Sequence, residues 1–176
     1  MKTVSLPTHY AQTPFDNFLE FKYFLLDSFK EIPVEANSKI TKTDWGNAKD
    51  FNSRHWARYI LPSLSYNLTN LAKSLGHGGV TLNDLWFQQY TQNSTHGWHI
   101  HSSHYTGVLY VELPPETPKT QLIFGNKIQE IDASEGDIVI FPSFVVHRSP
   151  KNFSNLQKTI LSFNIDFIIS QNYSIE

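Results

Sequence analysis

The apolar positions change period part-way along the chain. Between Phe15 and Lys30 they recur near helical spacing, at Phe15, Phe18, Leu19, Phe21, Phe24, Leu25 and Phe29, which predicts an amphipathic helix. Asp16 near the start and Pro33 just past the end suit its boundaries. Residues 36–53 are rich in Asn, Ser, Thr, Lys and Asp and read as a loop. Trp56 to Leu75 predicts a second helix ending at Gly76, with Pro62 expected to break or restart it.

From about residue 80 short β-branched and aromatic runs between turn residues take over. Strands are predicted over Trp86 to Tyr90, Trp98 to His101, and Tyr105 to Leu113, the last stopped by Pro114-Pro115. Gln121 to Phe124 and Lys127 to Ile131 form a predicted hairpin about Gly125-Asn126. Asp137 to Phe141 follows the Glu135-Gly136 turn, and Lys158 to Ile169 is a long closing strand. The expected layout is one domain, 1–176, with a helical buttress over 1–80 and a mainly β core over 81–170, built as a sandwich or barrel.

Composition narrows the chemistry. A chain that is 40% hydrophobic and 14% aromatic has material for a real core. A net charge of −2 supplies no field for nucleic acid or an anionic membrane surface, so neither is expected as a partner. Cysteine is absent, which excludes disulfides, thiolate nucleophiles and cysteine-held metals. The N-terminus lacks the apolar run of a signal peptide and no membrane-length apolar stretch occurs, so the expected compartment is the cytoplasm.

The candidate chemistry lies in histidines. His99 and His101 stand two apart in a predicted strand, where side chains i and i+2 share a face. Two imidazoles can then converge on one point, and His147, on a later apolar segment, can supply a third. That pattern describes a mononuclear metal centre with open positions. The pair alone would favour a polar His-rich loop, since His96, His99, His101 and His104 crowd together; His147 shifts the weight to the metal. On the closing strand Lys158, Ile160, Ser162 and Asn164 share a face, and Tyr110 shares one with Val108 and Thr106. Gln88 and Tyr90 share another. Trp98 is a candidate pocket wall and Arg148 a candidate substrate contact at the opening.

Between Trp86 and Asp166 the string of motifs resembles the 2-oxoglutarate/Fe(II)-dependent oxygenases of prolyl-hydroxylase type. The residues that carry it are His99-Ile100-His101, then Thr106-Gly107-Val108-Leu109-Tyr110-Val111, then Glu135-Gly136-Asp137 leading to Phe141-Pro142-Ser143, then His147, then Lys158 to Asn164. The resemblance implies a double-stranded β-helix, a jelly-roll barrel of the cupin-like kind. It implies Fe(II) held by His99, His101 and His147, with 2-oxoglutarate chelating the metal and its far carboxylate meeting Lys158, assisted by Tyr110, Tyr90 and Ser162. O2 would decarboxylate this co-substrate while a small-molecule or peptidyl substrate is hydroxylated. Three positions depart from the pattern: His101 stands where the family carries Asp or Glu, Lys158 where it carries Arg, and Ile160 where many members carry Ser or Thr. The first makes the site one unit more positive; the second replaces a bidentate fork with a point charge. Two alternatives follow from the missing carboxylate: a cupin-like three-His dioxygenase that does not use 2-oxoglutarate, and a non-catalytic jelly roll that binds a metal or ligand.

Overall fold

The structure is a computed structural model that describes residues 10–33, 40 and 42–169. Along the chain run β1 (Ala11–Pro14), α1 (Phe18–Lys30), β2 (Lys42–Thr43), α2 (His55–Ser74), β3 (Gly79–Tyr90), β4 (His96–His99), β5 (Tyr105–Glu112), β6 (Gln121–Phe124), β7 (Lys127–Glu130), β8 (Asp137–Pro142), β9 (His147–Ser149) and β10 (Lys158–Ile168). Two short 3-10 turns, Trp45–Asn47 and Phe51–Ser53, lie before α2.

The strands form two antiparallel sheets. The larger has the order β1-β8-β5-β10-β3-β2 and the smaller β4-β9-β6-β7. From β3 onward the chain passes alternately between them, except at the β6–β7 hairpin, so β3 to β10 wind as a double-stranded β-helix. The fold is therefore the expected one. Long-range register sets it: Lys158 to Ile168 pairs with Tyr90 back to Gly79 on one side, and Thr159 to Ile165 with Glu112 back to Tyr105 on the other.

Both faces of the larger sheet are buried. Leu109, Val111, Leu161 and Phe163 point to the helices, where they meet Leu25, Phe29, Trp56, Ile60, Leu64 and Leu68. Val108, Tyr110 and Ile160 point into the barrel with Tyr90, Phe141 and Leu122. A strand buried on both faces reads as a continuous apolar run, which is why these strands are visible in the sequence. Gly107 permits the closest approach: a Cβ there would lie 2.5 Å from the Phe163 ring and 2.6 Å from the Val139 carbonyl oxygen. Buried Asp44 ties the start of α2 to the sheet. Its carboxylate pairs with Arg54 and accepts the Trp56 indole N–H at 3.0 Å and the Phe87 backbone N–H at 2.9 Å.

Several expectations are corrected. Helix α2 continues through Pro62. Pro62 and Arg58, whose carbonyl loses its intrahelical partner, are both exposed, so water can serve that carbonyl. The buried stripe on the other face holds the helix against the sheet. The 36–53 segment contains β2 and the two 3-10 turns, although 36–39 and 41 lie outside the described residues. β3 begins at Gly79, seven residues before the predicted start, and β4 ends at His99, leaving Ile100 and His101 outside it. Among the described residues no helix is long and apolar enough to cross a membrane.

Candidate metal centre

Two strands and a turn bring three imidazoles together. His99 ends β4 and sits directly opposite His147 on β9, with ring centroids 4.2 Å apart. His101 comes from the turn after β4. Its backbone N–H donates to the Ser143 carbonyl at 3.0 Å, and its ring lies 5.1 Å from each of the other two. One ligand nitrogen from each of the three lies within 4.8 Å of the others. The expected convergence is present, but a tethered turn and a short strand achieve it, not two neighbours on one strand.

Backbone carbonyls set two of the tautomers. Nδ1 of His99 is 2.7 Å from the Gly97 carbonyl and Nδ1 of His147 is 2.9 Å from that of Val145. A carbonyl only accepts, so each Nδ1 carries the proton and each Nε2 keeps its lone pair for a metal. Burial lowers the pKa of all three, to about 4 for His101 and about 3 for His147, with further repulsion from His99. They are neutral at pH 7, the form that ligates. Asp84 on β3 acts on His101 in the opposite sense, through its negative charge. Three neutral nitrogens with positions left open fit iron, zinc, copper or nickel.

The triad faces a narrow cavity also lined by Trp86, Gln88, Tyr90, His96, Thr120, Ser149, Ile160 and Ser162. Its volume is about 30 Å³. Lys158 does not line it but bonds to Ser149 of its wall, and is fully buried. The ammonium donates to Ser149 Oγ at 2.6 Å and to the Pro118 carbonyl at 2.8 Å, and lies 4.7 Å from the Tyr90 ring centroid. An ammonium has three donors, and no acidic side chain pairs with this one among the described residues. Burial pulls its pKa down to about 7, against a weaker opposing pull from Glu130. Tyr90 shares Ser149 as a hydrogen-bond partner, and Tyr110 donates to Thr120 Oγ1 at 2.8 Å. Burial raises both tyrosines, Tyr110 to about 12, so both stay neutral. A buried cation with an unspent donor and no counter-charge fits an anionic ligand; in this narrow space, Lys158 must exchange its protein acceptors for those of the ligand.

The other predicted site residues separate. Ser162 lines the cavity but donates to Gln88 Oε1 at 3.0 Å instead of joining Lys158. Trp98 and Arg148 do not line it: the Arg148 guanidinium stacks 4.3 Å over the Trp98 ring and its Nε donates to Gln121 at 3.0 Å. Neighbours of His99 and His147 in sequence, they lie on the outward side of the smaller sheet. His104 accepts the Phe167 N–H through Nδ1, and the close three-nitrogen group does not include it. Sequence reasoning missed Ser149 and Thr120. Ser149 stands two residues after His147 on one strand face and was findable had β9 been recognised; nothing local marks Thr120.

A double-stranded β-helix with an open-sided three-histidine cluster is thus the class that fold and site define. No protein-family model matches the chain, and no curated protein matches it in sequence. Solved structures match its fold. An oxidoreductase of the 2OG-Fe(II) oxygenase family from Burkholderia pseudomallei superposes with a TM-score of 0.56 at 11% identity, over 63% of this chain and 57% of that one. HygX from Streptomyces hygroscopicus, solved with nickel and 2-oxoglutarate bound, gives 0.67 at 10% identity, over 90% and 83%. The viral collagen prolyl hydroxylase of Paramecium bursaria Chlorella virus-1 gives 0.62 at 14%, over 97% of each chain. The chain shares the fold of 2-oxoglutarate/Fe(II) oxygenases.

Proposed function

We propose that this protein is a 2-oxoglutarate- and Fe(II)-dependent oxygenase that hydroxylates a small-molecule or peptidyl substrate. The observation that carries the reading is a buried ammonium with no acidic partner among the described residues, joined through Ser149 to the cavity that the three neutral nitrogens face. His99, His101 and His147 would hold the metal. Iron with its keto-acid co-substrate supplies the oxidising chemistry when bound.

The chain's own residues bind and orient. Lys158 takes the far carboxylate of 2-oxoglutarate as a charge-assisted donor. Tyr90 and Ser149 hold that ammonium in place, and Tyr110 donates to Thr120, which lines the cavity. Phe141, Val108 and Ile160 keep the cavity wall apolar, which excludes water and strengthens each charge contact. Fe(II)-loaded protein supplied with O2 and 2-oxoglutarate is expected to release succinate and CO2 in equal amounts; 2-oxoglutarate left unconsumed across a panel of candidate substrates would refute the proposal. The missing carboxylate at His101 favours one second reading, a three-His dioxygenase that needs no 2-oxoglutarate. Oxygen incorporation without succinate would select it.

A further inference from the structure

A fourth histidine, His96, faces the same cavity, and its ring hydrogen bond differs in sense from those of His99 and His147. The register between β4 and β9 shifts between His96 and His99, so residues three apart both turn inward. Their rings stack with centroids 3.9 Å apart and planes 19° apart. Behind His96 lies Gln88, 4% exposed, with its amide engaged at both ends. Its Oε1 accepts the Ser162 hydroxyl at 3.0 Å, which leaves Nε2 facing His96 Nδ1 at 3.4 Å. With the Gln88 amide in this orientation its nitrogen donates, which makes Nδ1 of His96 the acceptor and puts the proton on Nε2. His99 and His147 have the reverse arrangement, because their Nδ1 atoms face carbonyls.

This difference gives His96 another job. With Nδ1 engaged and Nε2 protonated it has no lone pair for a metal, although it is stacked on a candidate ligand. What it offers the cavity is a fixed N–H donor. Three imidazoles bring no negative charge, so an anion at the metal must be steadied by donors outside the ligand set. We propose that His96, set by the Ser162–Gln88 chain, is a co-substrate-binding residue whose Nε2–H donates to the metal-side carboxylate of the keto acid. Lys158 serves the far one. The inference rests on the proposed use of 2-oxoglutarate for the identity of the ligand, but the tautomer stands on the protein alone.

The test has two arms. In metal-free protein labelled with 15N-histidine, long-range 1H–15N correlations are expected to show His96 protonated at Nε2 and His99 and His147 at Nδ1; a proton on Nδ1 of His96 overturns the proposal. In protein loaded with Ni(II), calorimetry would compare 2-oxoglutarate with oxalate, a chelating dianion that lacks the far carboxylate. His96→Phe keeps the stack and removes the N–H. It should weaken both ligands about tenfold while leaving Ni(II) affinity unchanged. Lys158→Met should weaken 2-oxoglutarate only. Adding Gln88→Leu to His96→Phe should cost nothing further, since both act through one N–H. Parental affinity for both ligands in His96→Phe, or loss of Ni(II), refutes the donor role. Parent protein that binds oxalate with the His96 dependence but not 2-oxoglutarate would overturn the proposed function and leave this inference standing; failure to bind either overturns both.

Discussion

Replacing Lys158 with methionine should make the protein more stable at acid pH while removing its affinity for 2-oxoglutarate. Burial holds the ammonium at about 7 against its ordinary 10.5. At 1.36 kcal/mol per pH unit, the charged form costs the folded state about 5 kcal/mol relative to the unfolded chain. The sign follows from proton counting. Between pH 7 and 10.5 the unfolded chain holds the proton more tightly, so stability rises with pH across that window; below pH 7 the full cost is present. Methionine removes the cost but leaves Ser149 Oγ and the Pro118 carbonyl without a donor, roughly 1 kcal/mol each. The variant should therefore gain about 3 kcal/mol at pH 6, a Tm rise of roughly 6–12 °C for a chain this size, and lose that advantage by pH 10. Thermal unfolding by circular dichroism at both pH values measures it. On metal-loaded protein, 2-oxoglutarate affinity should fall at least about 100-fold, as when one partner of a buried ion pair is removed. A variant less stable than the parent by the same amount at pH 6 and pH 10 would refute the buried-charge reasoning. Unchanged 2-oxoglutarate affinity would refute the anchor.

Removing His101 as alanine should weaken Fe(II) binding by roughly 100-fold or more, read by equilibrium dialysis, because one of three donors is lost; full affinity would exclude it from the metal. Because burial lowers all three histidines, His101 to about 4 and His147 to about 3, Fe(II) affinity should persist below the pH near 6.5 at which unperturbed imidazoles would lose it; a midpoint at or above 6.5 contradicts the burial argument. Gly107→Ala should destabilise by about 2–3 kcal/mol in urea unfolding, since its Cβ would overlap Phe163 and the Val139 carbonyl. Pro62→Ala should stabilise by about 1–3 kcal/mol by restoring the bond to the Arg58 carbonyl on the exposed helix face; a loss would mean that the ring itself packs against something.

The legible parts of this chain are those written in local pattern. The barrel strands are visible because two buried faces make them continuous apolar runs, and Lys158 falls on the inward face by counting from Ile160. His99 is legible from strand parity and His147 from its place after a later apolar segment, and the structure sets them directly opposite one another. What was hidden depends on distant partners. His101 is aimed by a backbone bond to Ser143, 42 residues away, and Thr120, just before β6, accepts from Tyr110 on β5. β9 has three residues, too few for a periodic signal, so nothing in the sequence marks Ser149 as the partner of Lys158. Strand parity was available for Trp98 and Arg148: each sits one step from an inward histidine, which turns it outward. Pro62 shows the remaining limit. A local breaker is tolerated when the opposite face of its helix is buried and its own face is wet.

The most direct test is an anaerobic titration of the Fe(II)-loaded protein with 2-oxoglutarate, followed in the visible. The account predicts a charge-transfer band that saturates at one co-substrate per metal, absent from His147→Ala and shifted to much higher concentration in Lys158→Met. A metal-loaded protein that shows no band at any concentration, and no heat of 2-oxoglutarate binding, would contradict it.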